Sequence, residues 1–225
     1  MYDIIFISYD EENADDNYAA LKQRFPLAKR VHGIKGIQEA HRAAAKKAFT
    51  NKFWVVDGDA IIVPEFDFSF ECIDPINDPV YVWRAINGVN GLEYGNGGVK
   101  LLPRQKVLDL PPVEMDFTTK IADVFYPMTQ VSNESDFHLT PLSAWRAAFR
   151  ECVKLASKSI VGQVDNETEE RLHIWKTSLG ARNGEKCIAG AIAGEQYALD
   201  NINNSRALAK INDYNWLNEK FNELS

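Results

Sequence analysis

Cysteine is scarce. The 225 residues carry three, Cys72, Cys152 and Cys187, far apart and odd in number, which excludes a disulfide framework and a cysteine-based zinc spacing. They read as small buried side chains in a reducing compartment. Long apolar runs are missing too: none approaches the roughly 20 residues that span a bilayer. The opening MYDIIFISYD has no basic stretch leading into a long apolar one, so no signal peptide is expected. A cytoplasmic protein with no membrane insertion follows as the expectation. Positive charge is in deficit, with 25 Lys and Arg against 32 Asp and Glu and a net charge of −7. That balance disfavours broad wrapping of nucleic acid through its phosphates, while leaving room for a local basic path. Internal repeats and low-complexity tails are absent.

What is present is a globular composition, 45% apolar and 11% aromatic, sufficient for one substantial core and too apolar for disorder. DIIFIS at 3–8 reads as a buried first strand. An acidic loop at 9–16 and a short helix at 17–25 follow, stopped by Pro26. A strand is expected at 28–32 and an alanine-rich helix at 37–50. KFWVV at 52–56 is a second strong strand, AIIV resumes at 60–63, and VYVWR is a strand at 80–84. The glycine- and asparagine-rich GVNGLEYGNGG at 88–98 reads as a substrate-binding loop or a glycine-rich hairpin, ahead of a short strand at 99–102. Residues 132–138 read as a polar loop, Thr140-Pro141 as a helix start, and 142–157 and 167–179 as helices. The alternation predicts an α/β fold whose mainly parallel sheet is covered by helices. Residues 1–160 would form the core and 161–225 a C-terminal helical extension packed on the same domain. Nothing in the sequence sets the oligomeric state.

The most informative segment is FWVVDGDAIIV, residues 53–63. Four apolar residues drive a strand into the core and two acids follow within three positions. A buried carboxylate pair is costly unless something neutralises it, and ligands of parallel α/β sheets gather beyond the carboxyl ends of strands. Gly58 permits close approach. The pattern suits a hard divalent cation, Mn²⁺ or Mg²⁺, held against a diphosphate. The competing reading is a solvent-facing Asp-Gly turn between two strands.

Asp57-Gly58-Asp59 resembles the DxD motif of glycosyltransferases of the GT-A, or nucleotide-diphosphosugar transferase, fold, a Rossmann-like three-layer sandwich. The resemblance covers about residues 3–160. It implies that Asp59 ligates the metal, that Asp57 contacts the donor ribose or a metal-bound water, and that the donor is a UDP-sugar. The stretches FPLAKRVHGIKGIQEAHRAAA, FWVVDGDA, VWR and NGLEYGNGGVKLLPR further resemble small glycosyltransferase-like proteins of tailed bacteriophages. Some of those modify 5-hydroxymethylcytosine in DNA, arabinosyl transfer included. Double-stranded DNA carrying that base is therefore one expected partner beside the nucleotide-sugar.

Other residues fall into place around this reading. Tyr9 and Asp10, at the end of the first strand, and Lys35, near Arg30 and His32 and before a helix, are donor-side candidates. Glu93, Tyr94, Asn96, Gly97, Gly98, Lys100 and Arg104 are acceptor-side candidates. By the same resemblance Asp136, or alternatively Glu134, would deprotonate an acceptor hydroxyl if the reaction inverts, and His138 would complete the metal shell. Trp83 reads either as a stacking platform or as core. Arg146, Arg150, Lys154 and Lys158 recur at i+4 as a possible DNA-facing stripe, or as an ordinary solvated helix face. A glycan or protein acceptor, and a protein that binds nucleotide-sugar without turnover, are the alternatives.

Overall fold

The computed structural model describes residues 1–95, 97–113, 117–160 and 163–224. The chain forms two compact units. The first comprises Met1–Asn87 with Glu93–Ser135, the second Gly88–Leu92 with Asp136–Ser225. The boundary expected at residue 160 falls inside the second unit.

The first unit begins β1 (Asp3–Ser8), α1 (Ala14–Arg24), β2 (Lys29–His32), α2 (Ile37–Lys47), β3 (Lys52–Asp57) and β4 (Ala60–Ile62). It continues β5 (Val80–Asn87), β6 (Glu93–Tyr94), β7 (Val99–Pro103), the short α3 (Arg104–Asp109) and β8 (Phe125–Ser135). Among the described residues the strands join one sheet in the order β2-β1-β3-β7-β5-β8-β4, with β6 on β5.

This sheet is mixed, which corrects the expectation of a mainly parallel one. β1 runs parallel to β2 and β3, and β5 to β8, but β7 lies antiparallel between β3 and β5, and β4 is antiparallel to β8. The reason lies in the connections. A parallel return needs a crossover of about a dozen residues or more, usually a helix. The chain between β5 and β7 instead turns back through β6, which pairs Ala85 with Tyr94 and Ile86 with Glu93. The glycine-rich segment is thus in part the hairpin of its second reading.

Period-2 alternation sorts the strand residues onto two faces. Phe6, Trp54, Val56, Tyr81, Trp83, Val99 and Leu101 pack with Ala14 and Leu21 of α1 and with Phe66 and Phe68. Ile5, Val55, Val82 and Leu102 pack with Ala44 and Ala45 of α2, Val107 of α3 and Phe117. Trp83 is fully buried, its ring centroid 4.6 Å from that of Trp54. It is core and not a stacking platform.

Two boundaries differ from expectation for physical reasons. α1 starts at Ala14, inside the expected acidic loop, because Asp15 and Asp16 suit the positive end of a helix. β8 continues to Ser135 through the expected polar loop. Ser132, Asn133 and Ser135 are buried there and bond one another: Ser132 Oγ donates to Asn133 Oδ1 at 2.9 Å, and Asn133 Nδ2 to Ser135 Oγ at 3.1 Å. Satisfied in this way, polar side chains can occupy a buried strand.

The second unit is helical: α4 (Pro141–Ala156), α5 (Asp165–Thr177), α6 (Gly184–Asp200), α7 (Ser205–Leu208) and α8 (Tyr214–Leu224). Thr140 caps α4 through a reciprocal capping box with Ser143, and Pro141 takes the first helical position. α4 and α6 pack closely around Ala144, Ala148, Cys152, Cys187 and Ala191. Among the described residues no helix is long and apolar enough to cross a membrane.

Candidate functional site

The parallel strands β1, β2 and β3 end at one edge of the sheet, where Ser8 stands opposite His32 and Ile7 opposite Asp57. Here the chain leaves β3. After Asp57-Gly58-Asp59 it does not fold back on β3 as a hairpin; β4 pairs with β8, across the sheet. The Asp-Gly-Asp segment is a crossing, not a tight turn between paired strands.

Gly58 is buried, and a Cβ there would stand 2.6 Å from Glu11 Oε2 and 3.1 Å from Ser8 Cβ. A side chain here would have to displace the Glu11 carboxylate that packs against the chain at this point. Glu11 is held in place by the Tyr9 N–H, 2.7 Å from its Oε2, while Asn17 Nδ2 donates to the Gly58 carbonyl at 3.0 Å. Glu11, one acid of the loop expected at 9–16, thereby joins Asp57 and Asp59. The usable signal was topological: two strands that run parallel side by side deliver their following loops to one edge.

The three carboxylates act on one another. Burial, and then the charges of Asp57 and Glu11, push the Asp59 carboxyl up to about 7. Burial raises Glu11 too, against its backbone hydrogen bonds, with Asp57 and Asp10 adding to the rise. Asp57 is balanced differently. Lys100 Nζ lies 3.0 Å from each of its carboxylate oxygens and also donates to the Gly97 carbonyl. The Asp57 N–H donates to the Gly98 carbonyl at 2.9 Å.

A divalent cation fits this chemistry, because Asp59 and Glu11 carry repulsion that a cation would relieve. Among the described residues no three His, Cys, Asp or Glu side chains form a ready metal-binding group. One or two carboxylates completed by phosphate oxygens and water are the usual way of holding Mg²⁺, so Asp59 and Glu11 are the residues that would hold it.

Beside the carboxylates, Arg30, Ser8 and His32 form a bonded group. Arg30 Nε donates to Ser8 Oγ at 2.8 Å, and its Nη2 approaches His32 Nδ1 at 3.3 Å. Arginine can only donate, so Nδ1 accepts and the hydrogen of His32 sits on Nε2, in an exposed imidazole. Asp15 pairs with Arg30 at 2.6 Å.

The remaining sequence-derived residues are spread widely. Tyr9, Asp10 and Lys35 are exposed on the loops after β1 and β2. Glu93 is exposed and paired with Arg84 at 3.0 Å, and Tyr94 is half-buried on β6. Gly97 adopts φ +84°, and Gly98 lies where a Cβ would meet Asn133 Nδ2 at 2.7 Å. Asn96 lies outside the described residues. Lys100, expected at the acceptor, has a side chain only 3% exposed and turned onto Asp57. Arg104 is not brought to this edge: β7 is antiparallel to β3 and Pro103 stands opposite Lys52, which puts Arg104 about six residues, or roughly 20 Å, from Asp57 along the strand. Its Nε donates to the Ala45 carbonyl at 2.8 Å.

Glu134 is exposed near the end of β8, opposite Ile61 and Ile86. Asp136 and His138 belong to the second unit, with Oδ1 and Nδ1 3.3 Å apart. The cations of α4, and Lys158 just beyond its end, are engaged within their own unit. Arg146 lies over the Tyr214 ring at 4.2 Å, Arg150 donates to the Ile211 carbonyl, Lys154 pairs with Glu151, and Lys158 with Asp165.

No family model matches the chain, and no curated protein does. Solved structures of low similarity do match. HddC from Yersinia pseudotuberculosis is 16% identical, with a TM-score of 0.40 over 59% of this chain and 92% of that one. A glycosyltransferase involved in the glycosylation of the major capsid of PBCV-1 is 13% identical, with a TM-score of 0.38 over 56% and 82%. TarS 1–349 of S. aureus is 10% identical, with a TM-score of 0.40 over 99% and 92%. Likenesses at this level carry no argument about activity.

Proposed function

We propose that the chain is a cation-dependent glycosyltransferase that takes a sugar from a nucleoside-diphosphate sugar, with UDP as the nucleotide. The observation that carries this reading is the convergence of Glu11, Asp57 and Asp59 at the carboxyl edge of β1 and β3, with Asp59 pushed up to about 7. Such a cluster suits a divalent cation and a diphosphate. The resemblance of Asp57-Gly58-Asp59 to a DxD motif points the same way. When bound, Mn²⁺ or Mg²⁺ would neutralise the leaving diphosphate. Asp59 and Glu11 are the residues that would hold the cation. His32 offers its Nε2 hydrogen, and Arg30 its positive charge, to the nucleotide side. The Gly97–Gly98 turn presents backbone at close range to the sugar. Glu134 and Asp136 are the candidate proton acceptors for an attacking hydroxyl, separated by substituting each with its amide.

The acceptor we propose is 5-hydroxymethylcytosine in DNA, following the bacteriophage resemblance. A glycan or protein hydroxyl is the second reading, favoured by one observation: Arg146, Arg150, Lys154 and Lys158, the candidate DNA-facing stripe, are paired within their own unit with Tyr214, Ile211, Glu151 and Asp165. The test incubates the protein with Mn²⁺, a panel of UDP-sugars, and DNA with or without the modified base, followed by mass spectrometry of the nucleosides. A sugar-sized gain on the modified base alone, abolished by Asp59→Ala, is the expected result. Metal-dependent UDP-sugar hydrolysis without transfer to DNA moves the acceptor to glycans or proteins. The absence of both hydrolysis and UDP-sugar binding sinks the proposal.

A further inference from the structure

Lys100 is a buried cation among carboxylates, and nothing in the transfer reaction as set out above uses it. An ammonium has three hydrogens to donate. All three are spoken for: two reach the carboxylate oxygens of Asp57 at 3.0 Å each, and the third reaches the Gly97 carbonyl. With 3% of its side chain exposed, Lys100 has neither the surface nor a spare hydrogen for a substrate. Its partners are both at the site edge. Asp57 closes β3, and its N–H in turn bonds the Gly98 carbonyl at 2.9 Å. On the other side of that turn, the Asn133 amide fills the place a Gly98 Cβ would need, and Asn133 is itself held by Ser132 and Ser135. The Gly97–Gly98 turn is therefore clamped from two directions, by Lys100 and by Asn133.

We propose that Lys100 is the resident counter-cation and positioning residue of this site. It pairs off the charge of Asp57, leaves a mobile divalent cation to Asp59 and Glu11, and ties the Gly97–Gly98 turn to the end of β3. The inference rests on the cation-dependent reading above and adds to it a division of labour among the three acids. A site with three carboxylates and one fixed ammonium holds a divalent ion less tightly than the carboxylates alone would. That suits an ion which must arrive and leave with its diphosphate.

The charge argument makes two readouts move in opposite directions. In Lys100→Met the site gains one net negative charge a few ångströms from the bound ion. Calorimetric titration with Mn²⁺ is expected to show binding at least about tenfold tighter than in the unsubstituted protein. Turnover of the UDP-sugar is expected to fall at least about tenfold in kcat, with a smaller change in KM, because Asp57 and the turn lose their alignment. A residue that merely stabilised the fold, or one that bound the acceptor, would not tighten Mn²⁺. Unchanged or weaker Mn²⁺ binding in Lys100→Met overturns the inference while leaving the cation-dependent reading intact. Absence of Mn²⁺ binding in the unsubstituted protein overturns that reading and the inference with it.

Should Lys100→Met fail to fold, the charge-neutral pair carries the test. Asp57→Asn alone leaves the Lys100 charge uncompensated and is expected to weaken Mn²⁺ at least about tenfold. Asp57→Asn combined with Lys100→Met is expected to return the affinity to within about threefold of the starting value. No recovery in the double variant overturns the proposal.

Discussion

At the scale of single residues, the site stores opposing charges whose pH dependence can be worked out by sign. The Asp59 carboxyl is raised from 3.8 to about 7, so between these values the folded chain keeps a proton that the unfolded chain releases. Its contribution to stability is present below about 4 and declines as pH rises through about 7. Asp59→Asn is therefore expected to raise the melting temperature by several degrees near pH 8, and much less near pH 4, in metal-free buffer. An equal shift at both pH values would show that the carboxyl is not strained by its neighbours. His41 carries the opposite sign. It is buried on α2 against Phe117, with centroids 4.5 Å apart, and its Nδ1 hydrogen donates to the Ile37 carbonyl at 2.8 Å. Burial, and then the Lys100 charge, lower it from 6.5 to about 3. The unfolded chain then takes up a proton that the folded one refuses, and stability is lost as pH falls below about 6.5 towards 3. His41→Phe should flatten that acid limb of a pH–stability curve, and an unchanged limb would refute the assignment.

At the scale of elements, the closest approach in the second unit is between α4 and α6. A Cβ at Gly190 would stand 2.3 Å from the Trp145 carbonyl oxygen, and one at Gly194 would stand 2.4 Å from that of Phe149. In an open helix, Gly→Ala gains about 1 kcal/mol of propensity. Here the new methyl meets backbone, which cannot swing aside, and overpacking of this kind costs about 1–3 kcal/mol or more. Gly190→Ala and Gly194→Ala are each expected to lower the urea midpoint. A rise would mean that α4 and α6 can separate freely. Sequence periodicity found α4 to within a residue, whereas α6 fell in a stretch expected only to belong to a helical extension, and the spacing of the two was not legible, because small residues read the same whether they line a contact or face solvent. A similar limit applied to β8, whose Ser132, Asn133 and Ser135 look like loop residues until their mutual hydrogen bonds are seen.

At the scale of the molecule, the charge of −7 and the internal engagement of the α4 cations bear on any nucleic-acid acceptor. With those cations engaged within their own unit, the candidate stripe is weakened as a surface for displacing counterions from phosphates. Binding to duplex DNA, followed by fluorescence anisotropy across a salt series, should accordingly give a slope of log K against log salt below about 3 in magnitude. A steep slope would reveal a basic path elsewhere on the surface.

The sequence by itself determined where apolar strands β1 and β3 run, where α2 and α4 begin, and that two acids follow the strongest strand, because each is written in local periodicity and in adjacent residue types. Only the tertiary structure decided that β7 returns antiparallel and carries Arg104 away from the acids, that Glu11 is pressed against Gly58, and that Lys100 answers Asp57 across 43 positions of chain. Those outcomes depend on strand order and register, which arise from many distant contacts summed over the whole sheet and leave no local mark on the residues they bring together.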